Sequence, residues 1–314
     1  PLQVNGEVHA RDWRMTRYYG VGEYSSVSWD KIDAIVRRTE QGLQLTADGY
    51  REGSRKIDLD VLLPPNRQAP LNGNLAFEGL QLGVLVPFAP GLAALEGELT
   101  GALQLAGTVD RPMLDGSVNM SAGRFVMVGN STEFNAVELQ IDVNGDKADI
   151  AGSGMLGGGK LDISGQAVLR PEPQMKLSLV GSRHQLLIPP TVQMLVSENL
   201  QLSVRGESLD IRGDIQVHEG ILEQDALPEG SVDISPDVVM VDYSGNVVSR
   251  AKVFNTSMDI GLLIENKFRI VGDMVDATVG GDLRLSQAAG QPLQVFGNLN
   301  VLGGELRAYQ QLLR

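Results

Sequence analysis

The sequence predicts an all-β fold: a long antiparallel meander of strands with one apolar face, and at most one or two short helices. Three observations predict it. Apolar residues alternate with polar ones in run after run, most cleanly at Met258, Ile260, Leu262 and Ile264, and a period of two places them on one face of a strand. Glycine is abundant at 37 residues while aromatics make up 5%, which suits many turns and slim side chains rather than one aromatic core. Finally, one unit recurs three times: Gly213, Ile215, Val217, Gly220, Leu222; Gly116, Val118, Met120, Gly123, Phe125; and Gly297, Leu299, Val301, Gly304, Leu306. Its second glycine suits a bulge where φ is positive, so the unit reads as strand, kink, strand.

The elements follow in order. Leu2–Trp13 is strand-like and Met15–Tyr24 is aromatic and glycine-bearing. Over 28–38, Trp29, Ile32 and Val36 fit helical spacing, but the neighbouring strands favour a strand. Leu43, Leu45 and Ala47 alternate, as do Ile57, Leu59, Val61 and Leu63 before Pro64-Pro65 stops them. Leu80–Leu95 is the best helix, short and limited by Pro87 and Pro90. This divides the chain into an N-terminal β segment, 1–95, and a continuous trough domain, 96–314. From Gly97 onward strands follow one another. Asn144-Gly145-Asp146 is a hairpin signal, Pro171-Glu172-Pro173 a turn, and Pro189-Pro190 an interruption. A loop is expected over 223–236, a strand at Val238 and Met240, a turn at Glu265-Asn266-Lys267 and a bulge at Gly280-Gly281. Strands of about five to eight residues, roughly 20 in all, make up the meander.

Net charge is −13 with a pI near 4.7, so nucleic acid and anionic membrane surfaces are repelled. The chain has no cysteine, which excludes disulfides and thiolate metal sites. Its most apolar window is too short to span a bilayer. It begins at Pro1 without Met and reads as a fragment, so any membrane contact is expected through regions outside it.

Several motifs look catalytic. Gly152-Ser153-Gly154-Met155-Leu156-Gly157 matches G-x-G-x-x-G, but the strand-like Leu161-Asp162-Ile163 follows where a dinucleotide site needs a helix. Gly154–Lys160 approaches a P-loop, yet Leu161 stands where Ser or Thr must hold magnesium. A glycine-rich hairpin accounts for both. His9, His184 and His218 have no metal-ligand spacing, and no nucleophile elbow is present. The acidic residues over 223–242 lack calcium-loop spacing. No cofactor, metal or catalytic residue is expected, and the chain reads as a non-enzyme.

An apolar face must be covered by a second sheet, by closure into a barrel, or partly by a sheet curled into a trough. Alternation alone does not decide among them. Pro189-Pro190 with Val196-Ser197 and Leu200–Val204, then Gly213–Leu222, Leu227-Pro228-Glu229, Ser235–Val239, and Gly303–Gln310 together resemble the TamB family, related to the AsmA-like group, and that resemblance implies a meander curled into an elongated apolar trough (a β-taco or β-groove). The stretch Gly107–Gly116 matches its recurrent G-x-x-x-x-P-x-x-x-G step. Where that family carries Y-G-Q, this chain has Tyr309-Gln310-Gln311. The final strands of the family are therefore expected beyond Arg314. The resemblance implies a periplasmic protein anchored in the inner membrane by an N-terminal segment outside this chain. It further implies a role in phospholipid movement to the outer membrane, and in outer-membrane protein assembly with a TamA-type barrel protein. On that reading acyl chains lie on Val118, Met120, Phe125, Leu139, Ile141, Ile215, Val217, Met258, Ile260, Leu262, Ile264, Phe268, Ile270, Leu299 and Val301. The alternative is a scaffold or chaperone lending strand edges to nascent outer-membrane strands. The conduit reading also expects Ile260→Asp with Leu262→Asp to block transport while much of the sheet survives.

Overall fold

The computed structural model describes residues 5–20, 23–83, 92–127, 133–188, 192–224, 255–308 and 311–313. They form one sheet. In the first part run β1 (Asn5–Gly20), β2 (Glu23–Thr39), β3 (Gly42–Arg51), β4 (Ser54–Leu63), β5 (Asn72–Gln81), β6 (Leu92–Gly107), β7 (Pro112–Met127) and β8 (Glu133–Gly145). Then come β9 (Lys147–Leu156), β10 (Gly159–Val168), β11 (Gln174–Ile188), β12 (Val192–Arg205) and β13 (Ser208–Gln224). The last are β14 (Asn255–Gly272), β15 (Val275–Gln287), β16 (Gln294–Ala308) and the stub β17 (Gln311–Leu313). Each strand pairs with its neighbours in sequence. At the usual strand spacing, 17 strands extend over about 80 Å.

The sheet is open. Its close backbone contacts run between neighbouring strands, with only a few between β9 and β11, and it is neither closed nor strongly curled. The trough is therefore shallow. Total accessible surface is 20762 Å², against about 12,800 Å² for a compact chain of this mass. A single layer accounts for the excess.

The strands are longer than the sequence suggested, up to 18 residues in β14, because bulges bend them without ending them. Each recurrent unit lies inside one strand. The expected turn at Glu265-Asn266-Lys267 is such a bulge: β14 runs through it and its register shifts between Ile264 and Phe268. Positive φ falls on the first glycine of each unit, 142° at Gly116, 140° at Gly213 and 129° at Gly297. Of the second glycines only Gly304 shows it, at 146°. A Cβ at Gly213 would fall on the carbonyl oxygen of Asn199 in the neighbouring strand. With the unfavourable φ, Gly213→Ala is expected to cost about 2–3 kcal/mol, to be read as a lowered urea midpoint.

The bulges align. In β5 to β8 they lie at Phe77/Leu80, Glu96/Glu98, Met120/Gly123 and Asn135/Glu138. In β11 to β14 they lie at Gly181/His184, Leu195/Val196, Val217/Gly220 and Ile264/Phe268. Each line of bulges creases the sheet, and a buried apolar cluster sits at each crease. Leu82, Leu95, Met120 and Val137 form the first. Val196, Val217, Ile264, Phe268 and Val279 form the second.

Three details concern the expected elements. Residues 28–38 are strand, within β2. The helix expected over Leu80–Leu95 has strand at both ends, in β5 and β6, and 84–91 lie outside the described residues. So do Pro189-Pro190, the acidic loop from 225 and the strand expected at Val238 and Met240. One pair breaks the antiparallel pattern: β13 and β14 are parallel, from Ser208↔Asn255 to Gln224↔Gly272. The intervening residues 225–254 are numerous enough for the chain to return to the same end, which a parallel pair requires.

Candidate functional site

Register carries one face across the whole sheet. Met120 pairs with Leu139, then Gly152, Ile163, Leu179, Leu200, Gly213, Ile260, Leu285 and Val295 in successive strands. A parallel row links Val118 and Ile141 to Leu177, Leu202, Ile211 and Met258. All fifteen residues picked from the sequence lie on this face. Five are buried: Met120, Val217, Ile260, Ile264 and Phe268. Val118, Phe125, Leu139, Ile141, Ile215, Met258, Leu262 and Ile270 are half-buried. Leu299 and Val301 are 46% and 70% exposed, because β16 is an edge with β15 on one side and only the stub on the other. Reading by alternation missed Val137, Leu161 and Val196, each 1–2% exposed. They belong to the same face by register, which no single strand reveals.

One polar pair interrupts this face. Glu198 pairs in register with Ile215 and Gly181, and His184 with Val196, so both side chains point to the apolar side. They are 9% and 2% exposed, with His184 Nε2 3.2 Å from Glu198 Oε2. His184 Nδ1 and Glu198 Oε2 have no hydrogen-bond partner. Burial pushes the Glu198 carboxyl up to about 7 and lowers the His184 imidazole, since a charge removed from water is disfavoured for acid and base alike. The signal was present in sequence: Glu198 takes the apolar turn of the alternation Val196, Glu198, Leu200, Leu202.

The opposite face is polar and carries cross-strand ion pairs such as Arg284–Asp259 and Arg269–Asp276, both 2.6 Å. At such exposure each is worth under about 1 kcal/mol. A recess of about 770 Å³ on this face is lined by Ser164, Lys176, Ser203, Asp210 and Arg212 among others. Its walls are polar, unsuited to an acyl chain.

At the second crease this face also places Ser197 Oγ 2.8 Å from His218 Nε2, and His218 Nδ1 2.9 Å from Glu265 Oε1. The order serine, histidine, carboxylate is that of a nucleophilic relay. Ser197, however, lies mid-strand, and its Oγ accepts the Arg183 backbone N–H at 3.0 Å. Gln216 also donates to Glu265, at 2.7 Å. The chain of bonds ties the bulges of β11 to β14 together, and that is the role its position supports.

The glycine-rich motif is a hairpin. Leu156 pairs with Gly159, and Gly157 and Gly158 have φ of 52° and 84°, the two positive values a type I′ turn needs. Gly145, in the hairpin expected at Asn144-Gly145-Asp146, has φ of 66°. Among the described residues no group of three or more His, Asp or Glu is placed to hold a metal ion. None of the helices there is long and apolar enough to cross a membrane.

Comparison with known proteins places this chain in a family. The family model described as "TamB C-terminal domain" matches residues 149–314, and that of "TamB, N-terminal domain" matches residues 3–120. The chain is similar to the translocation and assembly module subunit TamB of Haemophilus influenzae, with 21% identity over 293 residues. That alignment covers 89% of this chain and 22% of the relative, so the chain spans about a fifth of that protein. No solved structure matches. With more than half of its length matched by the C-terminal model, the chain belongs to the TamB family.

Proposed function

We propose that this chain is part of a non-enzymatic periplasmic lipid conduit, carrying phospholipid acyl chains along an apolar β-groove between inner and outer membranes. Inner-membrane anchorage, through the rest of a longer protein, and support of outer-membrane biogenesis belong to the same proposal. The observation that supports it is the apolar row running from Met120 in β7 to Val295 in β16 on a sheet with no facing layer among the described residues. The fifteen residues named from the sequence are the proposed lining. Each acyl CH₂ buried there contributes about 0.8 kcal/mol.

A photoreactive residue at Leu262, half-buried on the apolar face, tests this against one at Leu263, 46% exposed on the other. Both are leucines, so face alone differs. Phospholipid crosslinks at position 262 and not at 263 are the expected result. Equal crosslinking at both, or none at either, would remove the conduit reading.

A second reading has its own observation. Leu293, Val295, Phe296, Leu299, Val301 and Leu302 around β16 are all 46% exposed or more, and among the described residues the outer side of that strand is paired only at Leu306–Ala308. Such an edge suits strand addition, and favours a scaffold for outer-membrane proteins working with a TamA-type barrel.

A further inference from the structure

We infer that the apolar face holds two acyl-chain sites, one at each crease, joined by the row through Ile163, Leu179 and Leu200, and that the buried His184–Glu198 pair beside that row governs passage between them, admitting an acyl chain when Glu198 carries a proton and opposing it when it does not. This rests on the lipid reading above and specifies how the face would be used.

Three observations carry it. The two buried clusters are distinct: the first occupies β6 to β8 with Leu82 and the second β12 to β15, their partly buried fringes reaching Ile163 on β10 and Leu186 on β11. Between them, on β11 and β12, sit His184 and Glu198. The pair also has a built seat. A Cβ at Gly181 would fall on the Glu198 carboxyl group, and one at Gly159 would lie 2.7 Å from the His184 Cβ, so two glycines make the recess that holds the two side chains. Finally, His184 Nδ1 is buried with no hydrogen-bond partner, and the buried Glu198 Oε2 has the 3.2 Å contact with His184 Nε2 but no hydrogen bond. A purely structural ion pair would be expected to satisfy them.

Nothing else titratable faces the pair on the apolar side. Its neighbours there are Gly159 and Leu161 on β10, Gly181 on β11, Val196 and Leu200 on β12, and Ile215 and Val217 on β13. Among the described residues, the charged side chains nearest the pair on those strands, Lys160, Asp162, Arg183, Asp214 and Glu219, are exposed, and His218 faces Ser197 and Glu265 on the other side. With a proton on Glu198 the pair is neutral and an acyl chain on the row through Leu179 and Leu200 can cover it. Without it a carboxylate lies beside that row, and covering it with hydrocarbon is disfavoured. With its carboxyl near 7, the protonated fraction falls about thirty-fold between pH 6 and pH 8.5.

The test uses the 314-residue chain and a phosphatidylcholine carrying a diazirine on one acyl chain, which stays zwitterionic over this range. Labelled peptides are mapped at pH 6 and pH 8.5, for the parent and for Glu198→Gln, with circular dichroism as the folding check. The expected result at pH 8.5 is labelling of β7–β8 and of β13–β14, with β10–β12 labelled at least several-fold less. At pH 6 in the parent, and at both pH values in Glu198→Gln, β10–β12 should be labelled like its flanks. Labelling of β10–β12 that is independent of pH and unchanged in the variant would overturn this control of passage while leaving the conduit in place. No labelling above that of the denatured chain would overturn the conduit and the control together.

Discussion

Ile260→Asp is expected to unfold the second half of the sheet, whereas Val301→Asp is expected to leave it standing. Both residues lie on the apolar face, and both changes introduce one carboxylate. Ile260 is 5% exposed and sits between Gly213 and Leu285 in the central rows. A carboxylate there loses its water and finds no cation on its own face, while the apolar contacts of isoleucine are lost as well. The combined cost is about 4 kcal/mol, a large share of the stability of an ordinary domain. Val301 is 70% exposed on β16, so its carboxylate stays hydrated and the cost is within about 0.5 kcal/mol. Urea unfolding followed by circular dichroism separates them: a lowered midpoint or partial unfolding for Ile260→Asp, an unshifted curve for Val301→Asp. The same contrast changes what the Ile260→Asp, Leu262→Asp double variant can report. Its loss of lipid transport would follow from loss of structure, so Leu262 probes and edge variants such as Val301→Asp are the cleaner tests of the groove.

Glu198→Gln should stabilise the protein, and increasingly so as pH rises. The folded-state carboxyl lies near 7, above its ordinary 4.5, so the native chain binds this proton more tightly than the unfolded chain does. The stabilisation from that proton is fully present below about 4.5 and is lost as pH rises through 7. Above that range the parent carries a buried carboxylate, at a cost of about 3 kcal/mol. Glutamine has nearly the same shape and no proton to lose. The variant's advantage should therefore be small near pH 4.5, grow through pH 7 and level off near pH 8 at up to about 3 kcal/mol, less whatever its amide hydrogen bonds leave unmade. His184 slopes the other way. Its lowered pKa makes stability fall as pH drops below 6.5, in parent and variant alike, so it largely cancels from their difference. Thermal midpoints measured from pH 5 to pH 8.5 would show this; a constant offset across the range would mean that Glu198 keeps its proton or its water throughout.

The alternation at Met258–Ile264 carried the strand and its buried face together, since period two is local and every second side chain answers to the same surroundings. Gly157-Gly158 and Asn144-Gly145 were legible for the same reason: a tight turn is decided by the residues within it. What escaped depended on distant partners. Nothing near Ile264 announces that Glu265-Asn266-Lys267 is a bulge and not a turn, because the strand is held through it by β13 and β15. The parallel pairing of β13 with β14 is announced by no residue in either strand. Leu299 and Val301 read like Ile260 and Leu262 in pattern, yet they lie at an edge, and an edge is defined by which strand is missing beside it. Glu198 was legible as a violation: a carboxylate in the apolar phase of its strand marks a place where burial is opposed by something other than packing.

Neighbour-only pairing also changes how this molecule would come apart and how it could change length. A globular core ties distant segments into one cooperative unit, whereas here each hairpin answers mainly to the hairpins on either side, as in a linear array. Melting should begin as fraying at β1 and β16 and move inward, so that one unfolding free energy does not describe the whole chain. The same arrangement makes span an adjustable quantity. Removing β3 and β4 would bring β2 beside β5 still antiparallel, with their apolar sides facing the same way, and would shorten the sheet by about 10 Å. A sheet of this kind can change its length by gaining or losing hairpins, with no closed core to rebuild each time.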